Sequence, residues 1–211
     1  MVRSPVAPED DFLQPQGGYR RTLLEQMDPH FLFNTLNLIA RMAAREEAGE
    51  TEEMVLHFAK YLRYLLRKQS RNDLIPLHQE LEGLEHLLHI FKKRFGEKLE
   101  YRISSEDKTL SLFVPFLILL PLVERTLVRG VEESTAPLAL EIRTAITREN
   151  RLELILQDGN FCSGKNASGE ENREILAVRE RIRYHYGEEG RLTIEDLSGG
   201  GTRRIILLPL H

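Results

Sequence analysis

The chain has 211 residues, with 29 Lys and Arg against 33 Asp and Glu, a formal charge of −4, and 41% hydrophobic residues, which fits one or two ordinary folded domains. That balance excludes a strongly basic nucleic-acid clamp. The single cysteine, Cys162, excludes an intrachain disulfide framework and any multi-cysteine zinc site. The longest nearly unbroken apolar run, Leu112 to Val123, contains two prolines and is too short to span a bilayer, which takes about 20 residues.

Residues 1–18, rich in Pro, Gly and acid, form an expected flexible leader with no apolar core of a secretory signal. The expected compartment is a reducing cytoplasm, with the chain free or associated with a membrane sensor. From Tyr19 the pattern is helical. A first long helix is expected over Tyr19 to about Glu47, and a second from Thr51, its N-cap, with Glu52 and Glu53 in the first turn and Val55, Phe58, Leu62 and Leu65 as its apolar face. Residues Arg71 to Pro76 form a joint. Leu77, Leu81, Leu84, Leu88, Phe91 and Phe95 then recur at spacings of 4 and 3, the seam of a third helix.

After Gly96 short apolar or alternating runs predict strands at Leu99–Ile103, Leu138–Thr147, Leu152–Gln157, Leu192–Asp196 and Arg204–Leu208. Helices are expected over Val114–Gly130, with Pro115 in the first turn, and over about Glu174–Tyr186. The polar stretch Gly159–Asn172 is long for a simple connection, and Gly199-Gly200-Gly201 suits a hairpin turn, since no helix follows to face an anion. The fold class expected is α+β. A helical hairpin over residues 19–72 precedes a sandwich over 73–211, with helices on one face of a mostly antiparallel sheet.

The most informative segment is Gln26-Met-Asp-Pro-His-Phe-Leu-Phe-Asn-Thr-Leu-Asn37. At about 100° per residue, Gln26, His30, Asn34, Asn37 and Arg41 fall within one narrow polar stripe. Met27, Phe31, Leu32, Leu36, Leu38 and Ile39 fill a wide apolar arc. So wide an arc needs more than one neighbour, and two copies of the hairpin would supply them as a four-helix bundle, which predicts a homodimer. Pro29 removes one backbone hydrogen bond beside His30, at a cost of about 3 kcal/mol in an isolated helix, and predicts a kink. Packing alone does not account for such a break beside a histidine flanked by amides.

QMDPHFLFNTLN resembles the H-box of the LytS-like class of sensor histidine kinases. Tyr61-Leu-Arg-Tyr-Leu-Leu66 and Ile75-Pro-Leu-His-Gln-Glu-Leu81, with Arg94-Phe95, resemble the segments that follow in that family. The resemblance runs from about residue 20 to the C-terminus. It implies that His30 is the phospho-accepting imidazole of a dimerisation and phosphotransfer hairpin, and that a histidine-kinase ATPase-type sandwich follows. A largely neutral imidazole at pH 7 is a competent nucleophile. The resemblance also implies that Asn34, one turn on, helps to orient a water that hydrolyses a partner receiver's phosphate.

The second half departs from that family. Where its helix reads Pro-Leu-Val-Glu-Asn-Ala-x-x-His-Gly, this chain has Pro121-Leu-Val-Glu124-Arg125-Thr-Leu-Val-Arg129-Gly130. Arg125 replaces the magnesium-binding asparagine, and a guanidinium has no acceptor with which to ligate Mg²⁺. The Asp-Asn-Gly-x-Gly turn has become Asp158-Gly159-Asn160-Phe161-Cys162, and the next glycine pair, which lets amides approach phosphates, is missing at Asn172-Arg-Glu-Ile175. By the resemblance, Glu124, Asp158, Gly201 and Thr202 remain as cofactor-binding positions, the last three at the adenine end. Mg-ATP is thus the cofactor the family implies, and Arg125 and the lost glycines weigh against it.

Other constellations carry less. His86 and His89, with Glu82 and Glu85, have spacings that suit a metal, but they flank the leucine seam of the third helix and a charged amphipathic surface accounts for them. No metal set is therefore expected. Cys162 lacks a CxxC partner, and no GxSxG, HExxH or Walker sequence occurs. The expected function is a two-component phosphorelay, with the phosphoryl group carried on His30 and exchanged with a response-regulator aspartate, no nucleic-acid partner and no insertion into the membrane. An active ATP-dependent sensor kinase core and a non-catalytic dimerising scaffold remain as alternatives.

Overall fold

The computed structural model describes residues 29–66, 73–132, 137–159, 173–198 and 200–210, excepting the side chains of residues 29–31, 131 and 132. The expected leader, Gln26, Met27 and the start of the first helix lie outside the described residues, as does the stretch 160–172 with Cys162. The kink expected at Pro29 therefore has no described residues before it.

Two helices open the described chain, α1 (Pro29–Arg45) and α2 (Gly49–Leu65). They form the expected hairpin, but α2 starts two residues before Thr51, after Ala48, with no side-chain cap. Glu50 and Glu52 serve the positive end of the helix instead. Leu36 of α1 packs on Ala59 and Leu62 of α2, with Leu32, Phe33 and Val55 at the margin. The guanidinium carbon of Arg63 lies 5.1 Å from the Phe33 ring centroid. Leu38, Ile39 and Met42 of α1, and Leu56 and Phe58 of α2, stay exposed, Leu38 by 58%.

Next come β1 (Leu74–Pro76) and α3 (Leu77–Phe95), then β2 (Leu99–Ser105) and β3 (Phe113–Pro115). The leucine seam behaves as its spacing predicts, with Leu77, Leu81, Leu84 and Leu88 buried. The helix expected from Val114 does not begin there. Phe113–Pro115 pairs antiparallel with β1, the chain turns through Leu117 in a left-handed conformation (φ 59°), and α4 runs only from Leu120 to Glu132. An extended pre-proline residue suits a strand better than a helix, and a two-strand ribbon outcompetes the helical pattern.

The remaining elements are β4 (Leu138–Ile146), β5 (Arg151–Gly159), α5 (Arg173–Tyr186), β6 (Arg191–Asp196) and β7 (Thr202–Pro209). The main sheet has the order β2-β4-β5-β7-β6. Only the β2–β4 pair is parallel; the others are antiparallel, as expected. Along β4 and β5 the residues Leu138, Leu140, Ile142, Leu152, Leu154 and Leu156 point to one face, the period-2 signature of a sheet covered on one side. The core on that face is continuous through α3, α4 and α5 to Tyr61 and Tyr64 of α2. Among the described residues no helix is long and apolar enough to cross a membrane.

Candidate functional site

From Pro29 on, the H-box string falls on α1: Pro29 and His30 are helical, and Asn34 is exposed on the next turn. Residues i and i+4 share a helix face, so the backbone keeps positions 30 and 34 on one side. Asn37 is exposed as well, and the polar stripe continues along the helix.

The positions expected at the nucleotide site divide into two groups. Asp158 ends the buried row of β5, and Thr202 stands opposite it on β7. The Thr202 N–H donates to Asp158 Oδ1 at 2.8 Å. Gly201 belongs to the hairpin turn between β6 and β7, closed by Leu197 N–H donating to Gly201 O at 3.0 Å. Its φ is +100°, and a Cβ there would stand 2.1 Å from the Asp158 carbonyl oxygen. Only glycine meets both demands, so Asp158, Gly201 and Thr202 form one tight unit.

A fourth member was not foreseen from sequence. Arg204, two residues along β7 on the same face, donates from Nη1 to Asp158 Oδ2 at 2.6 Å. Both residues are deeply buried, Asp158 2% exposed and Arg204 8%. Each carboxylate oxygen thus already holds a donor. The signal for Arg204 was its inward position in the β7 alternation, but Ile205-Ile206-Leu207-Leu208 is apolar on both parities and hides which face is which.

Glu124 takes part elsewhere. Its carboxylate accepts a hydrogen bond from the Tyr61 hydroxyl of α2. Burial pushes the Glu124 carboxyl above the usual carboxylate range, the Tyr61 bond opposes that shift, and Glu174 reinforces it. Burial likewise raises the Tyr61 hydroxyl. Arg125 follows on α4 and pairs with Glu174 of α5 at 3.6 Å. Burial and the neighbouring charge of Arg129 lower its guanidinium, against Glu174.

A parallel contact lies one turn along α2. Glu80 of α3, fully buried, accepts from the Tyr64 hydroxyl. It also accepts from the backbone N–H groups of Leu117, Leu119 and Leu120 at 3.0, 2.9 and 3.2 Å. Burial pushes its carboxyl up and these four donors pull it back. Glu80 thereby satisfies orphan donors at the start of α4 and fixes the left-handed turn at Leu117. Tyr64 also lies flat against Gly83, where a Cβ would come within 2.7 Å of the ring. A glutamate three residues after Leu77, beside the leucine seam, was the available sequence signal.

A family model described as histidine kinase matches residues 20–99. The chain is 29% identical over 199 residues to the sensor protein LytS of Oceanobacillus iheyensis, covering 89% of this chain and 34% of that protein. It is 28% identical to the sensor histidine kinase YesM of Bacillus subtilis, covering 90% of this chain and 33% of that one. The chain therefore spans about a third of the length of these relatives. The histidine kinase domain of the blue-light activated histidine kinase EL346 of Erythrobacter litoralis shares the fold, with a TM-score of 0.50, 14% identity, and coverage of 86% of this chain and 96% of that domain. The histidine kinase AdeS of Acinetobacter baumannii does so too, at 0.50 and 9% identity, over 90% of this chain and 98% of that one. With helical Pro29 and His30 opening α1 and the sandwich behind it, these matches show that the chain resembles the LytS-like sensor histidine kinases.

Proposed function

We propose that this chain works as a two-component phosphorelay protein whose His30 exchanges a phosphoryl group with the aspartate of a response-regulator receiver, in a cytoplasmic homodimer. An imidazole nitrogen of His30 attacks the phosphorus of the aspartyl phosphate, the aspartate carboxylate leaves, and the imidazole proton passes to solvent. Asn34, exposed on the same side of α1, orients water for the hydrolytic branch. The exposed Leu38, Ile39, Met42, Leu56 and Phe58 support pairing of two hairpins, since such residues on adjacent helices favour burial against a second copy.

The observation that carries the reading is the contrast between the H-box and the nucleotide end. A magnesium–ATP complex does not fit the residues here. Arg125 offers donors where an oxygen ligand is needed, and the Asp158 carboxylate is already engaged by Thr202 and Arg204. Without a magnesium ion to neutralise the transferring phosphoryl group, autophosphorylation loses its main electrostatic support. On this reading residues 19–72 are the phosphotransfer unit, and 73–211 a sandwich that retains the fold but not the ATP chemistry.

The test uses the full chain. Incubation with γ-labelled ATP and Mg²⁺ leaves it unlabelled. Incubation with receiver domains from the same genome, phosphorylated by labelled acetyl phosphate, gives acid-labile label that is lost in His30→Gln. Label from ATP overturns the reading in favour of an active kinase core, and no label from either source in favour of a dimerising scaffold. Asn34→Ala then slows loss of phosphate from the receiver without preventing transfer.

A further inference from the structure

Between α2 and α3, away from the nucleotide end, three imidazoles meet. His57 of α2 stacks on His89 of α3 with ring centroids 3.8 Å apart and 14° between planes. His86 stands edge-on to His57, with the two Nδ1 atoms 3.2 Å apart. Glu53, one turn before His57, brings Oε1 to 3.4 Å from His89 Nε2. Glu53, His57 and His89 each offer a ligand atom, and all three atoms lie within 4.8 Å of one another. The i, i+3 spacing of His86 and His89 read as a solvated surface in sequence. In the fold His86 is buried, and α2 supplies the third imidazole and the nearest carboxylate.

We propose that Glu53, His57 and His89 form a binding site for a divalent transition ion of the zinc class, with His86 as the residue that fixes the tautomer of His57. Zinc takes nitrogen and oxygen ligands at about 2.0–2.1 Å in a tetrahedron, whose edges are then about 3.3 Å, so the set closes when the ligand atoms approach by up to about 1.5 Å and the stacked His57 and His89 rings turn to aim their lone pairs at one point. With the proton on His57 Nδ1 and donated to His86 Nδ1, His57 Nε2 keeps its lone pair, the outer-shell device for presenting an imidazole to a metal.

A further observation favours an ion over a bare contact. The Nε2 atom of His89, which faces Glu53 Oε1, is buried and makes no hydrogen bond among the described residues. Lys93 pairs with the other oxygen of Glu53 at 3.1 Å and with Glu50 at 3.7 Å, holding the carboxylate in place while Oε1 faces His89. A groove of about 140 Å³ lined by Lys60, Arg63, Gln79, Glu82 and His86 opens beside His86.

The site stands whether or not His30 carries phosphate, and a bound ion would clamp the second hairpin helix to the first helix of the sandwich. The experiment uses the untagged full chain, stripped with EDTA and titrated with Zn²⁺ by calorimetry at pH 7.5, with Co²⁺ as a spectroscopic probe. One ion binds per chain at micromolar or tighter affinity, Co²⁺ develops the intense visible bands of a tetrahedral site, and the melting temperature rises with Zn²⁺ concentration. His57→Gln and His89→Gln each weaken binding at least tenfold, Glu53→Gln weakens it less, and His78→Gln, on the far turn of α3, leaves it unchanged. Circular dichroism establishes that each variant is folded; a variant that is not folded yields to the other two. Absence of stoichiometric binding to the wild-type chain, an octahedral Co²⁺ spectrum, or undiminished binding in folded His57→Gln or His89→Gln overturns the proposal.

Discussion

The helical hairpin and the sandwich are sealed very differently. Between α1 and α2 the buried cluster is Leu36, Ala59 and Leu62, while larger apolar side chains such as Leu38 and Met42 remain in water. The sandwich has one continuous core from the sheet through three helices, in which many leucines and isoleucines have no exposure. At about 1.5–3 kcal/mol for each fully buried large aliphatic side chain, the sandwich can hold itself together and the hairpin is under-filled. A region that leaves apolar surface open on paired helices is adapted to be completed by something else. A region that does not is adapted to be a fixed platform.

The sharpest way to break the platform is Glu80→Ala. It strips the acceptor from three backbone N–H groups and a tyrosine, and we expect a loss of about 4 kcal/mol, seen as a large fall in melting temperature. Gly201→Ala comes next, at about 3 kcal/mol, because the new Cβ meets the Asp158 carbonyl in a backbone conformation that disfavours it. On the hairpin side, Leu38→Glu with Met42→Glu should leave the sandwich's near-ultraviolet dichroism intact and weaken self-association roughly 100-fold by sedimentation, near 2.7 kcal/mol. An unchanged mass distribution would sink the four-helix bundle.

A gentler probe is Glu124→Gln. Burial raises the Glu124 carboxyl, so the folded state holds its proton more tightly than the unfolded chain. That contribution is full below the ordinary carboxylate range near 4.3 and is lost as pH climbs through the raised folded value. Glutamine still accepts from Tyr61 and does not ionise. Urea unfolding between pH 4.5 and 7.5 should therefore show a smaller decline for the variant, with a gain of about 1 kcal/mol at the upper end. The decline shrinks without vanishing, since Glu80 is raised as well. The smallest effect is expected for Arg63→Ala, which removes the guanidinium from the Phe33 ring at a cost of about 0.5–1 kcal/mol.

Period carried most of the fold into the sequence. The leucine seam of α3 and the alternation in β4 and β5 repeat one spacing for long enough to leave no competing assignment. Val114–Gly130 failed for a long-range reason: the ribbon with Leu74–Pro76 and the carboxylate of Glu80 capture a segment whose local pattern suits a helix. The candidate sites show the same division. Asp158, Gly201 and Thr202 were named by resemblance to two short family motifs, and the structure sets them side by side. Arg204, the two tyrosine–glutamate bonds and the place of His57 beside His86 and His89 depend on residues far apart in the chain, and no window of sequence holds both partners.

Tyr61 and Tyr64 sit three residues apart on α2, and each grips a different helix of the platform. A helix pinned at two successive points along one edge can neither roll nor slide alone. Rolling α2 far enough to free one hydroxyl pulls the other off its carboxylate as well, which costs half-buried Glu124 its tyrosine donor and leaves buried Glu80 with its three backbone N–H donors alone. Any twist delivered from the N-terminal side must therefore be taken up between α1 and α2, or turn the entire sandwich as one piece.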